Sequence, residues 1–226
     1  MELKISSQPP TLELERELFS SGAKFVAGVD EVGRGALAGP VSVGVAIVCE
    51  QTLQVPTGLR DSKQINGIAR EKLITPVIAW VVDYAVGHVA ANEIDQIGIV
   101  PALRLAWVRA YQQLGTKPDH VILDGKHNWL LEPDNDLFTP PISEIVLPVT
   151  MKIKADASCA SVSAASVLAK VERDNLMREA ALIYPGFGWE GNVGYGSAQH
   201  MSAIAQLGAT DLHRKSWNLP IGPSDS

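Results

Sequence analysis

Residues 24–49 read KFVAGVDEVGRGALAGPVSVGVAIVC. Two runs rich in β-branched residues, 24–30 and 41–49, flank a glycine-rich turn, a pattern that predicts two adjacent strands. The first run ends in Asp30 and Glu31. Carboxylates are seldom buried unless paired or metal-bound, so a core strand ending in two of them asks for a chemical reason. Neighbouring residues of a regular strand point to opposite faces. For both acids to serve one site the strand must end or distort there, and Gly33 and Gly35 permit that.

Outward from this stretch, 1–22 reads as a tail and short helix stopped by Gly22, and 51–67 as a loop. Residues 69–80 have helical spacing that Pro76 should limit or kink. Residues 80–91 read as a third strand followed by Asn92 as a helix cap, and 99–115 as a helix ending at Gly115. DHVILDG (119–125) is a short buried strand that again ends in an acid and a glycine, Asp124 and Gly125. A Pro-rich loop (127–143) and a strand, EIVLPVT, precede one long helix over 157–182, whose first half is Ala, Ser and Val. A shorter helix at 197–208 and a tail complete the chain. The expected class is α/β, a mixed sheet flanked by helices.

With 19 Lys and Arg against 25 Asp and Glu, the net charge is −6, and no apolar stretch reaches the roughly 18 residues that span a bilayer. No signal-peptide pattern opens the chain, and Cys49 and Cys159 read as reduced thiols, so a cytoplasmic protein is expected. Basic residues gather locally, as Arg60, Lys63, Arg70 and Lys72, as Lys152 with Lys154, and as His213 with Arg214 and Lys215. Each group alone reads as a solvated face.

Asp30, Glu31, Asp124 and Asp156 each end or open a regular element, and such ends meet on the rim of an α/β sheet where ligands bind. Asp156 also has a plain reading as a helix cap. Four carboxylates brought together repel unless cations share them, and hard oxygen donors favour Mg²⁺ or Mn²⁺ over Zn²⁺. Two such ions can clamp a phosphodiester displacement. Neither GxxxxGK[ST] nor GxSxG is present, which disfavours an NTPase and a serine hydrolase. His88 and His120 read as structural.

The blocks VDEVGRGALAGPVSVGVAIV, LRDSKQI, ILDGKH, KADASCASVSAASVLAKVERD, YPGFGWEGNVGYGSAQH and LGATDLHRKSW, in this order, resemble bacterial ribonuclease HII over 24–217. The resemblance implies an RNase H-like catalytic domain over 23–185 and a C-terminal helical extension over 186–226 packed on it. It implies a Mg²⁺- or Mn²⁺-dependent endonuclease that acts on RNA in RNA–DNA hybrids and on ribonucleotides embedded in DNA. Cleavage would fall 5′ to the ribonucleotide at a junction and leave 3′-hydroxyl and 5′-phosphate ends. Asp30, Glu31, Asp124 and Asp156 match the family's metal-binding acids. Gly33, Arg34 and Gly35 match its motif for the ribose 2′-hydroxyl and adjacent phosphate, with an Arg34–Glu31 ion pair as the alternative. Tyr195 matches the tyrosine packed on the following deoxyribose, with a core tyrosine as the alternative. Ser62 and Lys63 match a substrate-backbone contact, and Lys152, Lys154 and Lys170 are further candidates. His200 or His213 is considered for assisting proton movement.

Two departures stand out. Val193 occupies a position where the family often has Lys, and the loop 127–143 is long for it, with Asp134 and Asp136 expected to face solvent. Two rival readings remain at this level: a non-catalytic hybrid-binding module on the same fold, and a metal-dependent DNA nuclease or resolvase that needs neither GRG nor a 2′-hydroxyl. A monomer is the default, and the tail after Trp217 leaves a sliding clamp open as a partner.

Overall fold

A computed structural model describes residues 8–60, 65–131 and 145–220. Ser62 and Lys63, Asp134 and Asp136, and the last residues of the tail lie outside them. The elements are α1 (Glu13–Ser20), β1 (Phe25–Val32), β2 (Val41–Cys49), α2 (Gly67–Trp80), β3 (Asp83–Val89), α3 (Ala91–Ile97) and α4 (Ile99–Gln113). They continue with β4 (His120–Asp124), β5 (Val149–Lys152), α5 (Ala155–Ser158), α6 (Ala160–Ile183), α7 (Trp189–Asn192) and α8 (Ala198–Leu207). The five strands form one mixed sheet in the order β3-β2-β1-β4-β5. β1, β2 and β3 run antiparallel in turn, while β4 and β5 run parallel to β1.

Each face of the sheet takes a helix through a place where a side chain is missing. A Cβ on Gly28 or Gly44 would run into the backbone of α6 at Ser161 or Ala165, and one on Gly87 would run into α4 at Ala106. The Ala-, Ser- and Val-rich first half of α6 is buried throughout 160–169, so it lies directly on β1 and β2. The opposite face is filled by Trp107, Leu103 and Ala106 of α4 against Ala27, Val29, Val43 and Val45. At about 25 cal/mol per Å² of apolar surface removed from water, this two-sided burial is the main stabilising contribution to the sheet. Both cysteines are free thiols, and among the described residues no helix is long and apolar enough to cross a membrane.

Several expectations are corrected. The long helix over 157–182 is two helices, because Cys159 is extended (φ −105°, ψ 125°) between α5 and α6. The cause lies far away in sequence: Thr11 N donates to Ser158 O (3.0 Å) and Ala160 N donates to Thr11 O (2.9 Å). These bonds take a carbonyl and an amide that a continuous helix would use internally. α2 runs through Pro76 without ending; Pro76 faces solvent, while Leu73 and Val77 on the other side are buried in the core. Asn92 lies inside α3; the N-cap position is Ala90, whose amide donates to Glu93 Oε2 (3.0 Å). Among the described residues of the expected EIVLPVT segment (144–150), only Val149 and Thr150 are in a strand, and β5 runs on past it to Lys152.

Candidate active site

The parallel pairing of β1 with β4 puts Val29 opposite Leu123, so Asp30 and Asp124 are the next residues of adjacent strands at their carboxyl ends. By strand alternation both point to the face shared by Val26, Gly28 and Ile122, the side covered by α5 and α6. Asp156 arrives on that side from α5, which Lys154 enters in the left-handed region (φ 57°, ψ 41°). Asp30 and Asp156 are 6% and 4% exposed, and Asp124 is half-buried. Asp30 Oδ1 accepts from Glu31 N (2.9 Å), and Asp124 Oδ1 accepts from Ala155 N (2.7 Å), a bond that ties β4 to α5. Asp156 caps no helix, since α5 is capped by Lys154 and α6 by Cys159.

β1 does not distort at its acids. The ladder continues through Asp30 opposite Gly44, Glu31 opposite Val43 and Val32 opposite Ser42. Glu31 therefore starts on the other face and sits at the rim, where Arg34 Nη1 donates to its Oε1 (3.2 Å). The alternative ion pair of Arg34 thus forms, but its guanidinium side chain is 50% exposed, so the pair is weak, about 0.2–1 kcal/mol. Among the described residues, no three His, Cys, Asp or Glu side chains already converge as a metal-binding group. The donor set still suits hard divalent cations: three carboxylates on one face and a fourth on the rim, with no thiol or imidazole among them.

The loop 33–40 is built differently. Gly33 has φ +80°, and a Cβ there would strike Arg173, whereas a Cβ on Gly35 would meet open space. Arg173 of α6 is fully buried and donates to Pro40 O (2.8 Å), Val193 O (2.9 Å) and Ala38 O (3.1 Å). Arg214, also fully buried, donates to Gly33 O (2.6 Å), Arg34 O (2.8 Å) and Gly39 O (3.2 Å). Burial pushes the Arg214 guanidinium down to about 10, so it remains charged at neutral pH. Among the described residues the amides of Arg34 and Gly35 donate to no backbone acceptor.

Tyr195 is 37% exposed and is not a core residue. Its hydroxyl accepts from Gly33 N (3.1 Å), and its ring lies near Lys170 Nζ (5.9 Å) and the Arg173 guanidinium (5.5 Å). Lys170 is held by Asp174 (2.6 Å), which also meets Arg70 (3.6 Å), so Arg70 belongs to the interior and not to a solvated basic face. Val193, in the left-handed region at φ 44°, is buried and offers its carbonyl to Arg173.

His200 and His213 are buried too, so the expected basic group at 213–215 is a surface group only at Lys215. Trp189 Nε1 donates to His200 Nε2 (2.9 Å), which leaves His200 Nδ1–H to donate to Tyr195 O (2.9 Å). His213 Nδ1 accepts from Thr210 N (2.9 Å), so its Nε2–H faces His200 Nε2 (3.1 Å). These contacts fix both rings as neutral tautomers. Burial lowers the affinity of both for a proton, to about 4 at His213. They support the backbone of Tyr195 and are not placed to carry protons for a substrate. The residues that sequence reasoning missed are Arg173, Arg214 and Asp174.

A family model described as Ribonuclease HII matches residues 27–219. The chain is 46% identical over 211 residues to ribonuclease HII of Streptomyces avermitilis, covering 93% of this chain and 84% of that protein. It is 42% identical over 208 residues to ribonuclease HII of Paracoccus denitrificans, covering 92% and 91%. The crystal structure of ribonuclease H2 from Pyrococcus horikoshii OT3 matches with a TM-score of 0.66 at 29% identity, over 87% of this chain and 95% of that one. With its five-stranded mixed sheet and its RNase H-like neighbours, the chain belongs to the ribonuclease HII family, the metal-dependent type 2 ribonucleases H that hydrolyse phosphodiester bonds.

Proposed function

We propose that this chain cuts RNA in RNA–DNA hybrids and single ribonucleotides embedded in duplex DNA, 5′ to the ribonucleotide at an RNA–DNA junction, leaving 3′-hydroxyl and 5′-phosphate ends. The observation that carries this reading is the meeting of Asp30 and Asp124 at the carboxyl ends of neighbouring parallel strands, on the face where α5 brings Asp156. These three acids, with Glu31 at the rim, would hold two Mn²⁺ or Mg²⁺ ions. When bound, the ions supply an acidified water and neutralise charge on the attacking and leaving oxygens of the phosphodiester.

The chain's own residues place the substrate. Arg34 is half exposed, so its fork is free to leave Glu31 for a phosphate, a stronger charge-assisted contact than a solvated ion pair. The amides of Arg34 and Gly35 offer donors to a 2′-hydroxyl oxygen and its phosphate, and the 2′-hydroxyl is what separates RNA from DNA. The open space at Gly35 lets that backbone approach. Tyr195, with its hydroxyl occupied by Gly33 N, presents its ring to the deoxyribose after the ribonucleotide and so favours a junction. Lys170, Lys152, Lys154, Ser62 and Lys63 would hold the backbone, which positions a duplex without reading its sequence.

One assay tests the reading: a duplex with a single ribonucleotide and a matched all-DNA duplex, each with Mn²⁺ or EDTA. Cutting of the ribonucleotide duplex alone, 5′ to the ribonucleotide and only with metal, is expected. Asp124→Asn should lower the rate by roughly 10²-fold or more. Equal cutting of the all-DNA duplex, or a wild-type rate in Asp124→Asn, would overturn it.

A further inference from the structure

Buried charge is expensive unless paired, yet Arg173 and Arg214 are each 0% exposed and neither forms an ion pair among the described residues. Apolar side chains would fill the same space without that desolvation cost. What the guanidiniums add is geometry: their acceptors are main-chain carbonyls, five of them in the loop 33–40, at Gly33, Arg34, Ala38, Gly39 and Pro40. The peptide bonds here are trans, so each carbonyl and the following amide point in opposite directions. When Arg214 draws Gly33 O and Arg34 O inward, it turns Arg34 N–H and Gly35 N–H away from the protein. Gly33 N–H is taken by the Tyr195 hydroxyl, so those are the two loop amides with neither a backbone nor a side-chain acceptor among the described residues. Arg214 comes from the segment after α8, and its own amide donates to Leu37 O (2.9 Å), so the end of the chain is bound to both sides of the loop.

We infer that Arg173 and Arg214 are positioning residues for ribose discrimination, and that the C-terminal segment carrying Arg214 thereby sets the enzyme's preference for a ribonucleotide over a deoxyribonucleotide. The inference rests on the reading of the 33–35 loop given above. Lysine cannot replace either arginine in this role, since one ammonium cannot span carbonyls that the planar fork reaches together. A charge acting only as general attraction would survive such a change; the orientation of the loop amides would not.

The test measures dissociation constants of the full chain, made cleavage-deficient by Asp124→Asn, for a single-ribonucleotide duplex and its all-DNA match. Adding Arg214→Lys should weaken binding of the ribonucleotide duplex about tenfold and leave the all-DNA duplex unchanged. Arg173→Lys should act in the same direction, and each variant's melting curve reports whether the fold is kept. Retained discrimination in both variants, or equal weakening on both duplexes, would overturn the inference. So would loss of cooperative melting in both, which would make the arginines general core supports. If the unaltered loop itself binds both duplexes equally, the functional reading of the loop fails instead.

Discussion

The two halves of the site are held by opposite means. At the acid end, Asp30 and Asp124 ride on the central strands, fixed by ladder pairs and by an apolar cluster of Val26, Ile122, Ala155, Ala160 and Val162. At the loop end, the chain leaves the sheet after Val32 and has one isolated bridge, Ala38 with His213. There the order comes from two buried guanidiniums, the hydroxyl of Tyr195 and a pair of neutral histidines. An acid can therefore be altered without loosening its scaffold, while a change in the loop alters scaffold and recognition together.

The largest expected effect tests the first half. Asp30→Asn keeps an Oδ1 acceptor for Glu31 N, so the local backbone contact survives. Removing one of several neighbouring carboxylate charges also relieves repulsion in the metal-free protein. Cleavage should fall roughly 10²–10³-fold, with a melting temperature unchanged or raised. A large drop in melting temperature would mean that the acid end depends on Asp30 for its fold, and the contrast between the halves would break.

The glycines of the loop test the second half. Gly33→Ala forces an alanine into the left-handed region and its Cβ into Arg173, so a loss of at least about 1–2 kcal/mol is expected in urea unfolding. Gly35→Ala meets open space and should stay within about 0.5 kcal/mol, while weakening binding of a ribonucleotide-containing duplex. Equal stability costs at the two positions would remove the distinction between a glycine required by the clamp and one required by the substrate.

The strands and the acids at or near their carboxyl ends were legible because β-branched runs give way to charge and glycine, a local signal in residues 24–49 and 119–125. The break at Cys159 was not, because Thr11 imposes it from the other end of the chain. Nor was the regular pairing through Glu31, which the neighbouring glycines made look like a distortion. Arg173 had a readable trace, since Ala169, Arg173, Met177 and Ala180 follow helical spacing on the buried stripe of α6. Arg214 had none: in an irregular segment between His213 and Lys215 it looks like surface charge, and only tertiary packing turns it inward.

The histidine pair gives the loop end a pH dependence. In the folded state His213 takes up a proton only near 4, against about 6.5 when unfolded, because burial and its neighbour His200 oppose the charge. The unfolded chain therefore binds more protons between those values, so stability should be full above about pH 6.5, fall as the pH drops, and level off near 4. Melting temperatures across this range should decline less steeply in His213→Gln than in the unaltered chain. Identical slopes would show that the acid sensitivity comes from elsewhere and that the histidines do not distinguish the two halves.

The smallest stability effect belongs to Arg34. Its side chain is half exposed and its partner Glu31 is at the rim, so Arg34→Ala should cost no more than about 1 kcal/mol. Its backbone carbonyl, the part that Arg214 holds, is untouched by the substitution. The loop should keep its shape, and the measurable change should be weaker binding of the junction duplex with little change in urea midpoint. If binding and cleavage of the junction were both normal, the guanidinium would be serving Glu31 alone, and recognition would rest on the loop amides that Arg214 turns outward.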